Sequence, residues 1–91
     1  MKITDVRVRV FQNDDSKLKG VASITIDGCF VVHDIKILEG NQGNYVRMPS
    51  RKTADGQSKD VAHPINTATR EEITGLVLAK YEEEKAASAN E

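Results

Sequence analysis

From Ile3 to Val10 the chain alternates, with Val6, Val8 and Val10 on one side and Asp5, Arg7 and Arg9 on the other. This period of two marks a strand with one buried face and rules out a helix there. A second alternating run begins at Leu18, with Ala22, Ile24 and Ile26 on one face and Ser23 and Thr25 on the other. Between the two, Asn13, Asp14, Asp15 and Ser16 supply turn chemistry. Asp27-Gly28 then signals a type I′ hairpin, because that turn needs positive φ at both central positions. A tight turn pairs Ile26 with Cys29, Ile24 with Val31 and Ala22 with His33, and sets Thr25 against Phe30 and Ser23 against Val32. The third strand runs to about Leu38 with Phe30 and Val32 on a second apolar face, which makes it the candidate central strand.

Gly40-Asn41-Gln42-Gly43 breaks the pattern as a turn, and Tyr45, Val46 and Met48 start a short fourth strand that Pro49 ends or places at an edge. From Ser50 to Asp60 the chain is polar, and Asp55-Gly56 within it argues for a projecting hairpin or ordered loop. Asn66 or Thr67 offers an N-cap for a helix from about Ala68, while Thr69 and Glu72 have capping-box spacing that would start it a turn later; Ile73, Leu76, Val77 and Tyr81 form one apolar stripe on it. Gly75 interrupts the stripe at a cost of about 1 kcal/mol relative to Ala; close helix packing would account for it. These elements define an α+β fold, a small antiparallel sheet of four to five strands with a C-terminal helix packed on it.

A chain of 91 residues has room for one core and buries only about 60–65% of the surface exposed on unfolding, which favours an oligomer. Residues 1–84 are expected to form one domain and 85–91 a disordered acidic tail. The single cysteine, Cys29, cannot form an internal disulfide, and a cytoplasmic location is expected. No apolar run reaches the roughly 18 residues of a membrane span, so no membrane role is expected.

His33, Asp34 and His63 with Ser23, Ser50, Ser58 or Cys29 make no sharp catalytic motif, and two histidines with one dispersed cysteine make no recognisable zinc set. His33 is instead expected to pack in the sheet and His63 to stabilise the turn into the helix. Gly40-Asn41-Gln42-Gly43 lacks the Lys-Ser/Thr of a phosphate-binding loop and reads as a turn. The expectation is therefore no enzyme, no metal and no cofactor. Net charge is only −1, yet Arg47, Arg51, Lys52 and Lys59 outnumber Asp55 between Tyr45 and Lys59. Such a group can neutralise phosphates and release counterions. Residue types alone leave two readings open, a nucleic-acid contact surface and an ordinary solvated loop.

Four segments resemble one family: Met1-Lys2-Ile3-Thr4-Asp5-Val6-Arg7, Phe30 to Lys36 with Glu39-Gly40-Asn41, Met48-Pro49-Ser50, and Asp60 to Asn66. In this order and spacing they resemble the stage V sporulation protein G (SpoVG) family of septation regulators, from residue 1 to about Tyr81. The resemblance implies a sheet with a C-terminal helix, a homodimer, and regulatory binding to DNA and RNA linked to septation, cell division and sporulation. A protein-interaction module of the division machinery is the alternative. The family's basic pair falls on Arg51 and Lys52, with Lys59 and Arg7 as less specific matches, and Arg47, singled out by the local charge, is expected to support the contact. Ala54 stands where the family usually has proline, Ser58 where an aromatic residue is frequent, and Arg47 where a small residue is frequent.

Overall fold

The computed structural model describes residues 2–11 and 16–89, so the turn expected at Asn13, Asp14 and Asp15 lies outside the described residues. Both alternating runs form strands, β1 (Ile3–Val10) and β2 (Leu18–Ile26), followed by β3 (Phe30–Gly40) and β4 (Gly43–Arg47). The four are antiparallel and lie side by side in chain order. Two further strands, β5 (Ser50–Lys52) and β6 (Ser58–Asp60), pair as a separate ribbon rather than joining the sheet. The helix α1 (Thr67–Ala89) completes the α+β arrangement.

The Asp27-Gly28 turn forms as its residue types require. Both residues have positive φ, 53° and 67°, and Cys29 N donates to Ile26 O at 3.1 Å. Its tip is fastened to the start of β1: Lys2 N donates to Asp27 Oδ1 at 2.8 Å and Gly28 N to Thr4 Oγ1 at 2.9 Å.

The register corrects the expected pairing. Cys29 is left out of the ladder, so Ile26 pairs with Phe30, Thr25 with Val31 and Ile24 with Val32. Further along, Ala22 pairs with Ile35, and His33 and Asp34 together stand opposite Ser23 as a β-bulge. Asp34 adopts φ 63°, one of two described non-glycine residues with positive φ. Each additional residue exchanges inside for outside. Val32, Ile35 and Ile37 consequently share the core face, and the two apolar faces expected for β3 reduce to one.

That face meets the helix. Ala22, Ile24, Ile35, Ile37 and Met48 from the sheet side pack with Ile73, Val77 and Tyr81, and Val6, Val8 and Val10 close the margin. Fully burying a side chain such as Val77 stabilises by about 1.5–3 kcal/mol, so this seam holds the helix to the sheet. Asn66 is the N-cap, its Oδ1 accepting from Thr69 N at 2.7 Å. Leu76, expected in the stripe, is 40% exposed beside the β1 edge, and Leu78 packs on the core instead. Gly75 is exposed and an added methyl there would meet nothing within 4 Å, so close packing does not explain it. The helix continues beyond Glu84 into the segment expected as a tail, where Glu, Lys and Ala are good helix formers and Lys80 lies 3.4 Å from Glu84. Among the described residues no helix is long and apolar enough to cross a membrane.

Candidate nucleic-acid interface

Pro49 ends β4, and the chain turns into the ribbon, where Val61 N donates to Pro49 O at 2.7 Å and fixes its base. The tip is ordered by its own side chains. Thr53 N donates to Gln57 O at 2.7 Å, Thr53 Oγ1 donates to Asp55 Oδ1, and Gly56 takes φ 85°. The Thr53 hydroxyl, then the Gln57 amide, holds the Asp55 carboxyl below its ordinary range. Ala54 thus loses the φ restriction of proline without leaving the loop unbonded.

On the ribbon Arg51 pairs with Lys59 and Lys52 with Ser58. Directly opposed residues share a face and successive residues alternate, so Arg51 and Lys59 stand together while Lys52 points from the other side. All three are exposed, and among the described residues none forms an ion pair. Like charges directly opposed in a ladder are destabilising unless an anion lies between them.

Arg47 and Arg7 belong to a different surface. Arg47, the last residue of β4, pairs with Lys36 on the sheet face away from the helix. Arg7 pairs with Ser23 on the same face near the other edge, and its Nε lies 3.0 Å from Asp5 Oδ2. With side chains 84% and 50% exposed, that ion pair contributes little. The five cations singled out in the sequence therefore form an opposed pair on the ribbon, a third on its reverse, and two on the sheet.

Two cations escaped the sequence reading. Arg9 pairs with Val21, Val21 with Lys36, and Lys36 with Arg47, so three basic residues occupy one row across four strands. Alternation in β1 marked Arg9 as outward; placing Lys36 beside it required the bulge. His33, expected to pack in the sheet, is exposed on this side instead because it belongs to the bulge. His63 lies before the helix, its Nδ1 3.1 Å from Pro64 O. Among the described residues no three His, Cys, Asp or Glu side chains gather as a metal site.

The fold and its exposed cations define a small α+β protein that carries a basic ribbon beside a helix-backed sheet. The model of the SpoVG family matches residues 1–83, and the chain belongs to that family. Among its relatives is a protein of Clostridium acetobutylicum named "Putative septation protein SpoVG", 56% identical over 85 residues that cover 93% of this chain and 88% of the relative. A protein of the same name from Caldanaerobacter subterraneus is 52% identical over 90 residues, 99% of this chain and 98% of its own. A Listeria monocytogenes protein bearing that name with the numeral 1 is 50% identical over all 91 residues, 88% of its own length.

Proposed function

We propose that this chain is a non-catalytic cytoplasmic regulator that binds DNA or RNA as a homodimer and acts in septation, cell division and sporulation. The septation role follows the names its relatives bear. The Arg51–Lys59 pair carries the nucleic-acid reading: two exposed cations, opposed and without an acid partner among the described residues, suit a phosphate lying between them. Lys52 adds a contact from the reverse, and Arg47 lies one short turn away in sequence. A two-fold dimer would present two ribbons to one duplex.

Gel-shift titration at moderate salt tests this. Arg51→Ala with Lys52→Ala should weaken DNA or RNA binding at least tenfold while the melting temperature barely moves, and unchanged affinity would sink the proposal. On duplex DNA the log-log salt slope should fall by just under one for each phosphate that the variant no longer neutralises.

A second reading, a protein-interaction module of the division machinery, draws on Val61 and Ile65, which are 65% and 88% exposed just after the ribbon. A division partner that remains bound after nuclease treatment and after loss of the two cations would favour it.

A further inference from the structure

The sheet face turned away from the helix has an ordered chemical pattern. One row holds Arg9, Val21, Lys36 and Arg47 across β1, β2, β3 and β4. At about 4.8 Å per strand step, its outer members stand about 14 Å apart. Two residues further along β3 and β4, on the same face, Leu38 pairs with Tyr45, and Leu18 on β2 pairs with Leu38. A basic row therefore runs beside an apolar row ending in an aromatic ring, about 7 Å away by the rise of two residues.

Tyr45 is held for contact rather than hidden. Its Cδ1 would lie 3.0 Å from a methyl placed on Gly40, so the ring packs down over the bare glycine backbone. It nevertheless remains 48% exposed. At the other end of the face, the His33–Asp34 bulge leaves an open depression of about 500 Å³ lined by Arg7, Arg9, Ser23, His33 and Asp34. The described acids of this face are few: Asp5 is paired with Arg7, and Asp34 is in the bulge, while Glu39 alternates with Leu38 and belongs to the helix side. Arg9, Lys36 and Arg47 make no ion pair among the described residues.

We propose that the helix-free face binds a single-stranded polynucleotide across the strands, with phosphates along Arg9, Lys36 and Arg47 and a base stacked on Tyr45. The inference rests on the nucleic-acid reading above and assigns it a second surface and a strand state. A polyanion complements the basic row, and unpaired bases supply the flat apolar faces that Tyr45 and Leu38 can cover; a duplex hides those faces within its stack.

The test is fluorescence anisotropy with a labelled oligo(dT) 20-mer and a mixed-sequence 20-base-pair duplex. Arg9→Gln with Lys36→Gln should weaken oligo(dT) binding at least tenfold, lower its salt slope by about 1.4 at about 0.7 per phosphate, and leave duplex affinity within about twofold. Tyr45→Leu should lose at least about fivefold on oligo(dT) while Tyr45→Phe keeps it, as stacking requires. Equal melting temperatures exclude unfolding as the cause. Unchanged oligo(dT) affinity in the double variant, or equal losses on both probes, would overturn this inference while leaving the ribbon's role intact. A wild-type protein that binds neither probe would overturn this inference and leave the ribbon with RNA alone as its ligand.

Discussion

Val32 and Ile35 share the core-facing side of β3, although an odd separation in a regular strand would place them on opposite sides. The bulge at His33–Asp34 makes this possible, and Asp34 sustains it with φ 63°. Asp tolerates the left-handed region because its short side chain can bond locally, whereas a β-branched residue does not. Asp34→Val should destabilise the fold by about 1–2 kcal/mol. Asp34→Gly should change stability by less than about 1 kcal/mol. Urea denaturation of the two variants distinguishes a conformational requirement from a general sensitivity of the position.

Opposed like charges on the ribbon place stability and binding in conflict. Lys59→Glu converts the Arg51 contact from repulsion to attraction and should stabilise the ribbon by about 0.2–1 kcal/mol. The same change should weaken duplex binding more than Lys59→Ala does, because it adds a negative charge where a phosphate would lie. Hydrogen exchange at the ribbon amides, read beside a binding titration, should show the opposite signs.

Gly75 lies on the exposed side of α1 with open space where its side chain would be. Gly75→Ala should therefore stabilise the protein by about 0.8–1 kcal/mol, the difference in helix propensity. A drop in melting temperature would show that the position is covered in solution, as a dimer contact would cover it.

The ribbon tip has its own pH signature. The Thr53 hydroxyl, then the Gln57 amide, lowers the Asp55 pKa below 3.8. Because the folded value is depressed, the linked stability is present above 3.8 and lost as pH falls through the lower value. Thr53→Ala removes the larger cause, so the Asp55 titration should move upward toward 3.8 while still feeling Gln57. Carboxyl-carbon NMR follows both states directly.

Local rules made β1, β2 and the Asp27-Gly28 turn readable and narrowed the helix cap to Asn66, Thr67 or Thr69, among which the structure selects Asn66, because each depends on a few adjacent residues. The register of β2 against β3 was not readable. Cys29 and the bulge each insert a residue, and two parity changes in one strand imitate an apolar second face. The candidate surface divided in the same way. Arg51, Lys52 and Lys59 were conspicuous as a run of basic residues, but which two share a face is a property of ladder pairing. Arg9 and Lys36 stood in separate strands and became neighbours in one row only through the register of β1, β2 and β3.

Consecutive strands pair with one another through the sheet, but the face carrying Ile24, Ile35 and Ile37 is covered by Ile73, Val77 and Tyr81, far later in the chain. During synthesis the meander can assemble as it leaves the ribosome, each hairpin closing over a short loop. Until Tyr81 follows, that sheet presents an uncovered apolar surface with open edges, the condition under which nascent chains meet chaperones or one another. Completion of the helix is thus also the step that withdraws the apolar face from aggregation.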